Sequence, residues 1–185
     1  MSFSGHAKNP MIRIKTTLGA IEVEIDAAHA PITAANFLRY IDAGRYTEGR
    51  FHRTVTMQNQ PDKKIKIEVI QGGVNPKFAE QDFPAIKLER TNLTGIHHLN
   101  GTISMARDGA DTATSDFFIC IGKQPELDFG GKRNPDGQGF AAFGHVTKGM
   151  DVVLKIQKSN AEGQSLTPPI VIQSISRIRP PGKSE

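Results

Sequence analysis

A chain of 185 residues with a net charge of +4, 37% hydrophobic and 23% charged residues has the makeup of one globular domain with a sizeable core, not that of a disordered tail. Its Lys and Arg are interspersed with Asp and Glu and come with no zinc-finger spacing or aromatic-rich RNA motif, which argues against specific nucleic-acid binding. The lone cysteine, Cys120, excludes an internal disulfide and, inside the apolar run 117–121, reads as a small buried hydrophobe.

Residues 1–10 carry no apolar leader core. They are expected to be a flexible segment, and the cytoplasm is the default compartment. The periplasm or secretion is the alternative if the first five residues replace a removed signal. No stretch reaches the length of a transmembrane helix, so no membrane partner is expected.

Residues 11–25 read as a β-hairpin. Ile12 and Ile14, then Ile21, Val23 and Ile25, alternate with polar residues around a turn at Leu18-Gly19. Over 31–43 the period becomes helical: Pro31 suits a first helical position, Ala34, Phe37, Leu38 and Ile41 form one stripe, and Gly44 ends it. Short apolar runs at 66–70, 101–106, 117–121 and 142–146 read as strands. A second helix is expected over 150–158, with Met150, Val153 and Leu154 as its apolar stripe and Lys155 and Lys158 near its end to suit the dipole. The last strand, 170–178, puts Ile170, Ile172, Ser174, Ser176 and Ile178 on one face, with Pro168-Pro169 stiffening its start and Pro180-Pro181 closing it.

Loops are expected at 57–64, 75–97 and 129–139. The last is Gly-rich but lacks the strand–loop–helix setting and the Lys-Ser/Thr ending of a phosphate cradle. Many short strands with two helices predict a mainly β fold, a closed barrel with a helix at each mouth. The domain spans 11–179 and a tail covers 180–185. His97 and His98 are adjacent and point oppositely on an extended chain, with no ligand spacing around them, so no metal is expected. His29 and His145 have no Ser or Cys partner in a hydrolase motif.

Four blocks then stand in a telling order: Phe51-His52-Arg53; Val69-Ile70-Gln71-Gly72-Gly73; Gly101-Thr-Ile-Ser-Met-Ala-Arg107 with Ala113-Thr-Ser-Asp-Phe-Phe-Ile-Cys-Ile121; and Phe140-Ala-Ala-Phe-Gly-His145 with Lys148-Gly-Met-Asp-Val-Val153. In this register they resemble the cyclophilin family of peptidyl-prolyl cis-trans isomerases, in its bacterial branch, from about Met11 to about Ile178. The resemblance implies eight antiparallel strands in a closed barrel capped by two α-helices. It also implies an isomerase acting on X–Pro bonds, assisting protein folding, with no cofactor.

Turning a peptide bond breaks amide resonance, a barrier of roughly 18–20 kcal/mol. The task needs no nucleophile and no metal. It needs an apolar slot for the pyrrolidine ring and a fixed donor that favours the twisted amide, and a guanidinium, always charged and rigidly forked, is suited to that. Arg53 is the candidate, although a solvated surface arginine is the ordinary reading of Arg on a strand. By strand alternation Phe51 and Arg53 should share a face and His52 take the other.

The resemblance implies that Gln71 bonds the arginine and the substrate backbone. It further implies that Val69, Phe118, Leu127 and Phe140 wall the proline pocket, and that the backbone of Ala106, Arg107 and Asp108 pairs with an extended peptide. Phe117, next to Phe118, should point into the barrel.

The chain departs from the family at several positions. Extra residues around 56–66 lengthen the segment between Arg53 and Gln71. Glu68 stands where an apolar aromatic is usual, and Met57 is a candidate to fill that gap. Asp116 replaces a common glutamine, and Glu126 a common Trp or Phe, which makes the rim more acidic. Proline-containing polypeptides are the expected partners and a monomer the expected state. The alternative is a proline-peptide binding or chaperone module with the same pocket and little turnover.

Overall fold

The computed structural model describes residues 8–179; of the N-terminal segment only 8–10, and none of the tail with Pro180-Pro181, falls among them. The hairpin forms as its alternation predicts: β1 (Met11–Thr16) pairs with β2 (Gly19–Ile25), Ile14 opposite Ile21 and Ile12 opposite Val23. Helix α1 (Pro31–Asp42) starts on Pro31 without a local side-chain cap. Glu89, far along the chain, serves instead, its Oε1 accepting from Thr33 N at 2.6 Å and Thr33 Oγ1 at 2.7 Å.

Next come β3 (Gly49–Val55), β4 (Val69–Gly73), a single-turn helix α2 (Thr91–Thr94), β5 (Thr102–Met105), β6 (Phe117–Cys120) and β7 (Ala142–Lys148). Helix α3 (Met150–Gln157), the two-residue β8 (Ala161–Glu162) and β9 (Ser165–Arg177) complete the chain.

The strands run β1-β2-β7-β5-β6-β4-β3-β9 around a ring, all neighbours antiparallel, and β9 pairs back onto β1. Eight strands therefore close a barrel, with β8 a short arm on β9. Closure removes every long open edge. Inside lies an apolar core: Ile12, Ile14, Ile21, Ile25, Ile70, Ile103, Phe51, Phe117 and Phe143 are fully or almost fully buried. From α1, Phe37 plugs one mouth, its ring centroid 5.4 Å from Phe117 and 5.1 Å from Phe143. At the other mouth α3 lies so close to the first hairpin that a Cβ at Gly19 would come within 2.8 Å of Val152 Cγ2.

Three local expectations are corrected. In α3 the buried stripe is Val152, Val153 and Ile156, while Leu154 is exposed. The helix is rotated from its expected setting because Val152 meets Gly19. In β9 the register slips: Lys15 opposes Ser174 but Thr16 opposes Ile172, leaving Gln173 as an extra residue. After this bulge Ile175, not Ser174 or Ser176, turns inward opposite Ile14. Finally, β9 begins upstream of Pro168-Pro169. Its pairing with β3 jumps from Ile170 to Ser165, so the two prolines sit where no ladder bond is required of them.

Candidate functional site

The site grows from another irregularity, in β3. Phe51 opposes Gly72, but Arg53 opposes Gln71, so His52 is one residue too many for the partner strand. The expected alternation is thereby overturned. Phe51 faces the core, whereas His52 and Arg53 both emerge on the outside of the barrel, where His52 meets Asp116, just ahead of β6, and Arg53 meets Gln71 of β4. A bulge re-aims a side chain in this way without interrupting the sheet.

Arg53 is held at both ends of its fork. Nη1 donates to Gln71 Oε1 at 3.0 Å, and Nε and Nη2 donate to Gln164 Oε1 at 2.9 and 2.7 Å. Gln71 in turn donates to Asp116 Oδ2 at 3.0 Å, and His52 Nε2 lies 3.0 Å from the same oxygen. The Asp116 carboxylate fits because position 73 is glycine; a Cβ there would collide with Asp116 Oδ1. No carboxylate within the described residues pairs directly with Arg53. Burial lowers its pKa from the ordinary arginine value, but a guanidinium stays charged at any working pH. The result is an immobilised cation held by neutral acceptors and open to a pocket.

That pocket holds about 400 Å³. Val69, Phe118 and Leu127 form an apolar cluster outside the barrel, with Ile67 and Phe140 beside them, and the Phe118 and Phe140 rings meet edge-on at 5.6 Å. On the far side the pocket is walled by Ala106, Arg107 and Asp108. Arg107 is neutralised: its guanidinium bonds both Asp136 oxygens, at 2.8 and 3.0 Å, and Gly139 O.

Phe118 is backed by a buried relay. His98 stacks on it with ring planes 13° apart, reaching Asp128 Oδ1 through Nδ1 at 2.7 Å and Ser104 Oγ through Nε2 at 2.9 Å. Ser, His and Asp in this order look like a hydrolase triad. Yet Ser104 is wholly buried, so no substrate can reach its hydroxyl, and the arrangement props the pocket floor instead.

Over residues 11–177 the chain matches the family model described as cyclophilin type peptidyl-prolyl cis-trans isomerase/CLD. The chain belongs to this family. Among curated proteins it is similar to peptidyl-prolyl cis-trans isomerase A of Dickeya dadantii, 36% identical over 176 residues, covering 91% of this chain and 84% of the relative. A second bacterial isomerase, from Acinetobacter baylyi, is 39% identical over 155 residues, covering 83% of this chain and 75% of the relative. The fold is that of a cyclophilin type isomerase from Cryptosporidium parvum, at a TM-score of 0.76 and 20% identity, covering 94% of this chain and 99% of that one. The same parasite protein solved in the presence of the dipeptide ala-pro aligns with a TM-score of 0.74. Isomerisation of prolyl peptide bonds is the activity of this family, and the barrel is its fold.

Within this cyclophilin barrel, Arg53, Val69, Gln71, Ala106, Arg107, Asp108, Asp116, Phe118, Leu127 and Phe140 converge on one pocket. Four of the singled-out residues do not line it. His52 stands beside it, against Asp116. Glu68 turns the other way, because strand alternation opposes it to Val69, and its Oε2 accepts from Gln157 of α3 at 2.8 Å. Met57 is exposed, and the gap expected for it is filled by Ile67. Glu126 faces the Gly-rich loop, where its Oε2 accepts from Lys132 N at 2.7 Å.

Four pocket residues escaped the sequence, Ile67, Thr112, Thr114 and Arg133, and so did Gln164, which holds Arg53 without lining the pocket. Gln164 reaches Arg53 from 111 positions away, and no local pattern announces a contact of that range. His97 and His98 prove to share the Asp128 carboxylate, which the loop reading missed. Within the described residues no three His, Cys, Asp or Glu side chains gather as a metal site.

Proposed function

We propose that Arg53 is the catalytic group of this prolyl isomerase and that Gln71 and Gln164 position it. The observation that carries the reading is the fork itself, held through Nη1 on one side and through Nε and Nη2 on the other by two neutral carbonyls, above an apolar slot. A proline ring seated on Phe118, between Val69, Leu127 and Phe140, brings its amide against the guanidinium. As the C–N bond twists, the nitrogen regains a lone pair and the carbonyl loses conjugation. A preorganised cation favours that twisted state over either planar isomer.

The ala-pro dipeptide of the parasite relative supports a proline-containing ligand for the corresponding pocket here. The substrate backbone before the proline runs along Ala106, Arg107 and Asp108 as an added strand. As a working assignment we propose a monomer acting in the cytoplasm, to be checked by light scattering and cell fractionation.

A protease-coupled assay on a short X–Pro peptide tests the isomerase. Turnover by the wild type that falls on the order of a hundredfold in Arg53→Ala, with peptide binding retained, is the expected result. Binding without turnover in the wild type would favour the alternative, a peptide-binding module.

A further inference from the structure

A second guanidinium opens onto the pocket. Arg133, in the Gly-rich loop, is seated by the segment that lengthens this chain relative to its family. Its Nη1 donates to Gln60 Oε1 at 2.8 Å and to Ile65 O at 2.7 Å, and its backbone N donates to Glu126 O at 3.2 Å. Gln60 is itself buried and locked by bonds from Nε2 to Thr56 O and Ile67 O. The seat is therefore rigid.

Nothing neutralises the charge placed there. Arg133 forms no ion pair with any described residue, and its Nε and Nη2 find no protein acceptor among them. The carboxylates nearest in sequence are engaged elsewhere, Asp136 by Arg107 and Asp128 by His98, and Glu126 is turned to Lys132 N. Burial lowers the Arg133 pKa, and the Arg53 charge lowers it further, so the two cations sense one another across the pocket. Lys63, Lys64 and Lys66 stand exposed on the same inserted segment. The pocket lining also carries Asp108 and Asp116. A peptide lying in the pocket thus meets the carboxylates of Asp108 and Asp116 and, at Arg133, an unpaired cation.

We infer that this cyclophilin selects proline peptides carrying an acidic side chain just after the proline, with Arg133 as the specificity-determining residue. The inference rests on the proposed peptide path: with the residues before the proline along Ala106 to Asp108, we extend that path so that those after it leave past Arg133. The two free N–H edges of a guanidinium match a carboxylate, which an uncharged side chain satisfies poorly. The contact lies away from the rotating amide and is equal in the ground and transition states. It therefore acts on KM and leaves kcat alone.

Exchange spectroscopy on two peptides, Ala-Ala-Pro-Glu-Phe and Ala-Ala-Pro-Gln-Phe amides, tests this at low ionic strength. The wild type should favour the Glu peptide about fivefold in kcat/KM, the scale of one partly solvated ion pair, and added salt should erode the advantage. Arg133→Gln should abolish the preference, while Arg133→Lys should keep part of it. If Arg133→Gln also loosens the inserted loop, both peptides slow together, and the ratio between them still decides. Equal use of the two peptides by the wild type, or a preference that survives Arg133→Gln, overturns the inference and leaves the isomerase intact. No turnover of either peptide overturns the isomerase reading, and this selectivity with it.

Discussion

Along β6, Phe117 and Ile119 point into the barrel while Phe118 and Cys120 point outward; β4 repeats the division, with Ile70 inside and Val69 and Gln71 outside. Two regions are thus cut from the same strands. The interior is closed, apolar and aromatic, and its packing decides whether the barrel exists. The outer face is a small apolar floor edged by Arg53, Gln71, Asp116 and His52, whose polar contacts contribute little to folding and govern the chemistry. One residue of strand separates the residues that hold the fold from those that use it.

The sharpest break of this comparison is a pair of neighbours. Phe117 touches Phe37, Tyr46 and Phe51 at ring-centroid distances of 5.4, 5.6 and 5.7 Å. Phe117→Ala should cost about 3–5 kcal/mol of stability, read as a lower denaturation midpoint. Phe118→Ala should cost less in unfolding and more in peptide affinity. If the two substitutions behaved alike, the division between interior and pocket floor would fail.

Arg53→Ala should lose on the order of a hundredfold in kcat/KM, near 3 kcal/mol, for one lost donor at developing charge. Its midpoint of unfolding should hardly move, because no packed core rests on it. Arg53→Lys should rescue poorly, since a point charge cannot meet Gln71 and Gln164 together. Wild-type rates in Arg53→Ala would remove the residue from the mechanism.

Asp128 joins the two regions. Burial works to raise its pKa, but the side-chain and backbone bonds from His98, with a further bond from His97, hold the carboxyl below its ordinary value of 3.8. Because the folded value lies below the unfolded one, its stabilising contribution is complete above that ordinary value. It is lost as pH falls below it. Asp128→Ala leaves the buried His98 ring unpartnered on Nδ1 and should cost about 1–3 kcal/mol, seen in urea titrations near neutral pH. The difference from wild type should shrink in acid. A difference that grew there would contradict the assigned direction.

How much of this the sequence carried follows from range. The hairpin 11–25 and helix α1 were legible because alternation and the 3.6-residue period are local. So was the inward turn of Phe117 beside Phe118. The bulges at His52 and Gln173 were not legible, since a strand pattern cannot say that its partner is one residue short. Arg53 and Gln71 were placed by their resemblance to a family, while Gln164 reaches Arg53, and Arg133 the pocket, only through tertiary folding. The inserted segment read only as added length between Arg53 and Gln71; in the structure it seats Arg133 through Gln60 and Ile65.

The smallest expected effect tests that same boundary from the other side. Glu68 occupies a position where the family's aromatic would suggest a pocket wall, yet its carboxylate turns to Gln157 at the end of α3. Glu68→Gln preserves the shape and an acceptor for that bond. It should therefore change stability by no more than about 0.5–1 kcal/mol and leave kcat/KM on a neutral X–Pro peptide unaltered. A gain in turnover on removing the charge would mean that Glu68 reaches the substrate after all, and the alternation of β4 that separates fold from function would need to begin one residue earlier.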